Sequence, residues 1–380
     1  MGPADAEATS HALPEQRGGT LLLLPELVAG VGGIQRLGRD TLEAFRRGLP
    51  GRPLHALVLN DTPQQLAAGR VPAVEGCSRG RLRFAIRALG QTRQRRPRLV
   101  LLFHRHLLPL APLLRAASPH SSLALLLIGI EAWTPPGRLE RWALRDVSLL
   151  LSLSPQTSRA FGVSAPGRER PWPCSLPADW PLPEIAPPRL AVPLRLLSVA
   201  RLAASDGYKG VDHTIEAVAQ LPGGRADLDV VGDGDDRPRL EALARARGVA
   251  ERVRFHGRVT DRRLRELYAA CDVFVLPSGG EGFGIVYLEA MSFARPCVAA
   301  DAGGAPHVVR EGVSGWLVPY ARPDALAQRL RELQRDPAEA RRVGLGARRL
   351  VEAEFSFPAM VERARRLFEE AGGGGCASST

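Results

Sequence analysis

Lysine is almost absent from this chain. Of its 380 residues, 51 are Lys or Arg, and Lys209 is the single lysine among them. Arginine therefore fills nearly every basic position. A position that keeps lysine against this bias favours a role that needs a compact ammonium group rather than a planar guanidinium fork. Lys209 is for this reason a candidate functional residue before any motif is considered.

Long apolar runs and paired cysteines are also lacking. The apolar runs at residues 21–24 and 123–130 are far shorter than the roughly 18 residues of a transmembrane helix. No basic region followed by a long apolar one marks a signal peptide near the N-terminus. The five cysteines are odd in number, scattered and without C-x-x-C spacing, which favours a reducing compartment and argues against a zinc site. We therefore expect a cytoplasmic protein.

Acidic residues are scarce in the first half of the chain. Residues 1–190 carry 24 Arg and 14 Asp or Glu, a net charge of +10, whereas residues 191–380 carry 27 basic and 26 acidic residues, a net charge of +1. Much of the excess lies between Arg79 and Arg105, around a helix predicted over residues 81–94. A basic face attracts an anionic membrane surface, nucleic acid or an anionic acceptor, although it can equally be a solvated surface. The arginines lack the regular aromatic interleaving that single-stranded nucleic acid requires, so we expect no nucleic-acid partner.

Strands and helices alternate along most of the chain, which predicts an α/β fold of two doubly wound parallel sheets. A proline-rich stretch at 163–193 is interpreted as the linker between two domains. Ligands of such sheets bind beyond the carboxyl ends of the strands, where His104, His106 and Glu131 are expected. The predicted units are a disordered leader at 1–17, an N-terminal domain at 18–180 that includes a C-terminal helix at 355–370, a C-terminal domain at 190–354 and a disordered tail at 371–380.

One stretch, residues 278–294, organises the candidate site. An apolar strand at 272–276 leads into a glycine loop and then into a helix predicted over 283–293. The unsatisfied N–H groups and the dipole at such a helix start bind phosphate, and glycine lets a ligand approach the backbone. Glu281 and Glu289 are separated by eight residues, or roughly 12 Å of helix. The carboxylates of a glycoside hydrolase stand closer, at roughly 5–9.5 Å, so the pair favours a nucleotide-sugar clamp over a hydrolytic pair.

A second pair of cations accompanies this stretch. Arg201 follows a predicted strand, and Lys209 precedes a helix that begins near Val211. Two cations beside a helix N-terminus are typical of a diphosphate site. Fixed cations would stabilise the charge that develops on a leaving diphosphate more than they stabilise the ground state.

The segment from Glu281 to Glu289, E-G-F-G-I-V-Y-L-E, resembles the E-x₇-E motif of retaining GT-B glycosyltransferases of the family-4 type, the glycosyl transferases group 1. Further segments resemble that family in the same order over residues 195–320, among them V-V-G-D-G at 230–234 and G-G-A-P-H at 303–307. His307 stands where the family usually has Glu. The resemblance implies two Rossmann-like domains that face a cleft, and no metal or other cofactor beyond the nucleotide diphosphate sugar.

The resemblance also implies roles for individual residues. The donor phosphates and the leaving group would be held by the two cations, the donor sugar by the first glutamate, the ribose by the second and the base by a backbone segment after residue 255. A histidine of the N-terminal domain would stand near the acceptor. The residues in these roles are Arg201, Lys209, Glu281, His104, Gly33, Gly257, Val259, Gly282, Phe283, Gly284 and Glu289.

The predicted function is the transfer of a hexose, with retention at the anomeric carbon, to a glycan, a lipid-linked acceptor or a small molecule, as in polysaccharide biosynthesis. The basic N-terminal face adds the prediction of peripheral contact with an anionic membrane. One alternative is a non-catalytic binding protein that uses this face on nucleic acid or membrane. Another is a different GT-B enzyme, a sugar epimerase or a phosphorylase.

Overall fold

The chain forms two parallel β-sheets, each flanked by helices. The computed structural model describes residues 18–29, 32–69, 71, 73–163, 166–186 and 188–373. The leader predicted at 1–17 and the last part of the predicted tail, 374–380, lie outside these residues.

The first sheet has seven strands in the order β3-β2-β1-β4-β5-β6-β7, all parallel. Its central strands are short leucine-rich runs that are buried on both faces, as parallel strands covered by helices must be. The strands are β1 Thr20–Leu24, β2 Leu54–Val58, β3 Val74–Gly76, β4 Leu99–Leu102, β5 Ser122–Leu127, β6 Leu149–Ser152 and β7 Glu169–Pro171.

Among the described residues of this half, six α-helices connect these strands. The first of them follows β1 directly and ends in Arg46 and Arg47, cations that suit a helix C-terminus. The helices are α1 Gly33–Gly48, α2 Pro63–Ala68, α3 Arg81–Arg95, α4 Ala111–Ala117, α5 Arg138–Ala143 and α6 Pro155–Phe161.

The second sheet has six parallel strands in the order β10-β9-β8-β11-β12-β13. The strands are β8 Leu194–Val199, β9 Ala226–Val231, β10 Val253–Phe255, β11 Val273–Leu276, β12 Cys297–Ala300 and β13 Gly315–Val318. The helices are α7 Val211–Ala219, α8 Arg237–Ala246, α9 Asp261–Ala270, α10 Ile285–Ser292, α11 Ala305–Val308, α12 Pro323–Arg335, α13 Pro337–Leu350 and α14 Phe357–Gly373. Two doubly wound parallel sheets confirm the predicted fold class.

Several short elements were not predicted. The proline-rich stretch at 163–193 contains β7, which pairs with β6 at the edge of the first sheet, where proline is tolerated because one side needs no ladder hydrogen bond. Strands β3 and β13 and helices α2, α4, α5, α6 and α11 were also missed. The domain boundaries drawn from the sequence stay a prediction.

The last helix, α14, packs against the first half of the chain. The hydroxyl group of Ser122 donates a hydrogen bond of 2.9 Å to the carbonyl oxygen of Ala371, and the carboxylate of Glu370 pairs with Arg170. The predicted disordered tail was therefore wrong for residues 371–373, which continue this helix. The side chains of Ser122 and Arg98 satisfy carbonyl groups in its last turns, which extends the helix beyond residue 370.

Helix α10 begins at Ile285, two residues later than predicted. Gly284 precedes it with φ of 89°, a left-handed conformation that cannot belong to an α-helix. The helix therefore covers only the second half of the spacing between the two glutamates. The estimate of roughly 12 Å, which assumed helix throughout, does not apply to this segment.

No helix within the described parts of the chain is long and apolar enough to cross a bilayer. Four of the five cysteines, Cys77, Cys174, Cys271 and Cys297, are buried free thiols.

Candidate functional site

A cavity of about 520 Å³ lies between the two sheets and contains most of the predicted site. The start of α1 forms one wall, with Gly33 and Ile34. The loop after β8 and the loop before α10 form the other. The predicted residues that line this cavity are Gly33, Arg201, Lys209, Glu281, Gly282, Phe283 and Gly284.

Lys209 and Glu281 form an ion pair at this cavity. The lysine Nζ lies 2.6 Å from Oε2 of the glutamate, and both side chains are largely buried. Lys209 ends a 3₁₀ turn before α7, whereas Glu281 lies in the glycine loop before α10. The two charges satisfy each other while they both line the cavity. A ligand with a phosphate group and hydroxyl groups would find a cation and a carboxylate side by side.

Arg201 extends its charged end toward solvent at the rim of the same cavity. Its guanidinium Nη2 donates to Oδ1 of Asp206 at 3.0 Å, and Nε donates to the other carboxylate oxygen. This bonding lowers the pKa of Asp206 below its usual value. Asp206 is buried, and its carboxylate accepts from two nitrogens of the Arg201 guanidinium, which fixes the orientation of that group. Asp206 therefore acts as a positioning residue, and it was not among the predicted site residues.

The glycine loop before α10 is closely packed. A Cβ on Gly284 would lie 2.4 Å from the ring of Tyr287, and its φ of 89° already disfavours any other residue. A Cβ on Gly282 would lie 3.1 Å from Cα of Gly129, at the end of the first sheet. The two halves of the chain thus approach each other at backbone distance here.

Glu289 lies beneath the cavity rather than in its wall. It is 6% exposed; Oε1 accepts a bond of 2.9 Å from Arg36 Nη1, and Oε2 accepts one of 2.9 Å from the Tyr268 hydroxyl. Arg36 belongs to α1 of the first half, so this ion pair joins the two halves. Both carboxylate oxygens are bonded within the protein, and the role of Glu289 toward ribose stays a prediction.

Gly257 and Val259 are not among the residues that line the cavity. Gly257 is buried with φ of 63°, and its carbonyl oxygen accepts a bond of 2.9 Å from the N–H of Gly232. Val259 is half-buried and packs on the core. Their role in binding a nucleotide base stays a prediction.

His104 lines a second cavity of about 790 Å³ on the side of the first sheet. Its Nδ1 accepts from the N–H of His106 at 3.2 Å, and Nε2 lies 3.5 Å from Oε1 of Glu131. His106 also lines this cavity, and burial, followed by its neighbours His104 and Arg105, lowers the pKa of its imidazole. Ile34 lines both cavities, so the second one adjoins the first.

His307, the residue at the position where the resembled family has Glu, takes part in aromatic packing. Its ring lies 6.1 Å from that of Phe283 and 6.1 Å from that of Phe355. Burial lowers the pKa of its imidazole. The half-buried His307 ring packs edge-on against Phe283 of the glycine loop.

Within the described ranges, no group of three or more His, Cys, Asp or Glu side chains is arranged to hold a metal ion. Metal independence stays a prediction.

Comparison with known proteins finds sequence similarity in the second half. Residues 192–350 match the family model of glycosyl transferases group 1. Alpha-D-kanosaminyltransferase of Streptomyces kanamyceticus is 35% identical over 179 residues, which cover 47% of this chain and 46% of that protein. A GDP-mannose-dependent phosphatidylinositol monomannoside mannosyltransferase of Corynebacterium glutamicum is 36% identical over 170 residues, 42% of this chain and 44% of that protein. The chain thus spans less than half the length of these curated relatives.

The whole fold is similar to solved structures. HepE of Anabaena, crystallised with UDP, superposes with a TM-score of 0.75 at 22% identity, over 93% of this chain and all of that one. The two sheets and their flanking helices are therefore those of a GT-B fold.

Proposed function

We propose that this chain, whose residues 192–350 belong to the glycosyl transferases group 1 and whose fold is GT-B, is a retaining glycosyltransferase that uses a nucleotide diphosphate sugar. One observation carries the proposal: Lys209, Glu281 and Arg201 meet the glycine loop at a cavity between the two sheets. Two cations, a carboxylate and free backbone N–H groups are what a diphosphate with an attached sugar requires.

The proposed reaction needs little covalent chemistry from the protein. The bond between the anomeric carbon and the diphosphate breaks, and the acceptor oxygen bonds to the same face of that carbon. The acceptor proton passes to the departing phosphate. Lys209 and Arg201 stabilise the charge that develops on the diphosphate, while Glu281 orients the sugar hydroxyls.

The acceptor is proposed to enter from the second cavity. That cavity adjoins the first at Ile34 and carries His104 within reach of Glu131. We assign His104 to the acceptor hydroxyl, which it would orient while the phosphate takes the proton. The acceptor is a glycan, a lipid-linked molecule or a small molecule.

Peripheral contact with an anionic membrane is a further part of the proposal. Helix α3 exposes Leu82 by 75% and Ile86 by 60%, four residues apart, beside Arg83 and Arg87. Apolar side chains among arginines suit the interface of an anionic bilayer. Sedimentation with anionic vesicles at low salt checks this contact, and an unbound protein would contradict it.

The donor proposal is tested by thermal unfolding with UDP, GDP, ADP, their common sugars and oligonucleotides. A ligand at about a hundredfold excess over its Kd stabilises a protein by about 2.7 kcal/mol. We expect this shift with one nucleotide family in the wild type and its loss in Lys209→Ala. The control Arg262→Ala removes an exposed cation of α9 and should keep the shift.

A shift produced only by oligonucleotides would contradict the transferase proposal. So would a nucleotide shift that Lys209→Ala leaves unchanged. Transfer itself is measured with the stabilising donor and a panel of acceptors. Isomerisation of the sugar without acceptor, or cleavage that requires phosphate, would instead identify the epimerase or phosphorylase alternative.

A further inference from the structure

The cavity beside the donor site combines apolar walls with positive charge at one side. Its walls are mainly apolar, with Ile34, Phe84 and Leu107 among them. Arg79 and Arg81 provide the charge at one side. Glu26 is the one carboxylate among the residues that line it, and its Oε1 accepts a bond from Gln35.

Arg79 and Arg81 are unpaired cations. Within the part of the chain that the structure describes, neither guanidinium group has a hydrogen bond or an ion pair, although most arginine side chains of the second half contact a carboxylate or a carbonyl group, as those of Arg195 and Arg310 do. Both side chains are exposed to the cavity. Their charge is therefore available to a ligand.

The backbone around Arg79 and Arg81 has two features that cost stability, the uncapped start of α3 and two residues with positive φ. Helix α3 begins at Arg81 without a side-chain cap and without an acidic residue in its first turn. Cations at a helix N-terminus oppose the dipole. In addition, Ser78 and Arg79 have φ of 52° and 66°, a left-handed conformation that residues other than glycine seldom adopt. Such backbone strain clusters at ligand sites and persists where the surrounding structure enforces it, as the backbone bonds of Ser78 to Asp61 and of Arg79 to Leu59 do here.

We infer that this cavity binds a phosphate group of the acceptor, held by Arg79 and Arg81. The inference rests on the proposed function, because the same acceptor presents its hydroxyl toward the donor cavity at Ile34. The apolar wall at Phe84 and Leu107 contacts the rest of the acceptor. The phosphate comes either from a lipid headgroup or from a water-soluble phosphorylated alcohol.

The test is a titration of the full chain with glycerol 3-phosphate, with glycerol as the neutral comparison. It is carried out in an Arg201→Ala/Lys209→Ala background, which removes both cations that line the donor cavity. We expect glycerol 3-phosphate to bind, and Arg79→Gln/Arg81→Gln to weaken its Kd by about tenfold or more, the loss of at least one charge-assisted hydrogen bond. Arg79→Lys/Arg81→Lys keeps the charge and should recover most of the affinity.

The matched control is Arg93→Gln/Arg96→Gln. It removes two charges at the other end of α3, from residues that do not line the cavity, and should leave the Kd unchanged. Equal affinity for glycerol and glycerol 3-phosphate would overturn the inference. The same conclusion would follow if the control weakened binding as much as Arg79→Gln/Arg81→Gln did.

A second arm identifies the source of the phosphate. Vesicles of phosphatidylcholine with and without phosphatidylglycerol are sedimented with each variant. Binding to the anionic vesicles that depends on Arg79 and Arg81 identifies a lipid headgroup. If these two arginines determine the affinity for glycerol 3-phosphate but not the binding to vesicles, the phosphate belongs to a water-soluble acceptor. Neither arm needs a nucleotide sugar, so failure of the donor proposal is recognised separately, from the absence of nucleotide binding.

Discussion

Lys209 is the residue at which composition and geometry agree most directly. The single lysine of the chain lies at the interdomain cavity, paired with Glu281, and its Nζ lies 5.3 Å from the centre of the Tyr208 ring. A compact ammonium can contact the carboxylate, the ring and a phosphate together. A larger, planar guanidinium group cannot occupy the same place.

Lys209→Arg should therefore fail to replace lysine. We expect donor affinity to fall about tenfold, the loss of one charge-assisted hydrogen bond, in spite of the retained charge. Titration with the nucleotide sugar checks this, with Arg262→Lys on the exposed face of α9 as the control. Wild-type affinity in Lys209→Arg would show that the bias against lysine has no functional meaning at this position.

The buried environment of Asp40 predicts how the stability of the protein depends on pH. Burial in α1 raises the pKa of its carboxyl from 3.8 to about 6, although Arg36 lies 3.9 Å away. Because the folded-state pKa is the higher one, the folded state binds the proton more tightly. Stability contributed by the protonated form is present below pH 3.8 and is lost as the pH rises through about 6.

Asp40→Asn should accordingly stabilise the protein at pH 8 by up to about 3 kcal/mol, at about 1.36 kcal/mol for each unit of pKa shift. At pH 3.5 the gain should nearly vanish, because the wild-type carboxyl is then protonated in the folded state and largely protonated in the unfolded one. Urea unfolding of both proteins at the two pH values measures the difference. An equal gain at both would assign it to packing rather than to titration.

Among the elements, the start of α10 depends most on a single residue. Gly284 and Gly312 both have positive φ, of 89° and 65°, but a Cβ would meet the Tyr287 ring at 2.4 Å at the first and nothing within 4 Å at the second. Alanine at either position has the cost of the left-handed conformation, about 1 kcal/mol. Only at Gly284 does it also displace the glycine loop.

Gly284→Ala should thus destabilise the protein by about 1–3 kcal/mol more than Gly312→Ala does, because it also forces a side chain out of place. It should weaken donor binding as well, since the loop carries Glu281 and Gly282. Denaturant unfolding and nucleotide titration of the two variants check both parts. Equal effects would mean that the loop adapts and that its tight packing has no role in the site.

Elements with a strong local signal could be predicted from the sequence. The central strands β1, β4 and β11 are continuous apolar runs because both faces of a parallel sheet are covered. Strands β3 and β7 have three residues each at or near the edge, and their sequences V-E-G and E-R-P have no periodicity. Pairing with an existing neighbour makes them strands, which is a tertiary effect.

The residues of the candidate site likewise fall into two groups, those that the local sequence predicts and those that only tertiary contacts define. Arg201, Lys209 and Glu281 were predicted because each follows a strand or precedes a helix, and topology then brings them to one cavity. Asp206 and Arg36 were missed as site residues because their function depends on a partner. The partner of Asp206 is five residues away across a turn, and that of Arg36 is 253 residues away in the other half. No local pattern marks such contacts.

At the scale of the whole molecule, the ion pair between Arg36 and Glu289 joins the two halves. Its charged atoms lie 2.9 Å apart, and Glu289 also accepts from Tyr268. Removal of one partner leaves a largely buried charge, so Arg36→Gln should cost about 3 kcal/mol, at the low end for a buried pair because the arginine is partly exposed. The double variant Arg36→Gln/Glu289→Gln should be less destabilised than the sum of the single ones.

A double-mutant cycle measured by denaturant unfolding gives the coupling energy, expected at about 1–3 kcal/mol for residues in contact. The matched control is the more exposed ion pair of Arg47 and Glu43 on α1, whose coupling energy should be below about 1 kcal/mol. Additive effects at Arg36 and Glu289 would mean that this ion pair does not contribute to holding the two halves together. Coupling would instead show that this ion pair contributes to holding the two halves together, and the predicted ribose role of Glu289 then requires its carboxylate to leave Arg36 when nucleotide binds. Nucleotide should then bind more tightly to Arg36→Gln than to the wild type, because the carboxylate no longer has to leave the arginine.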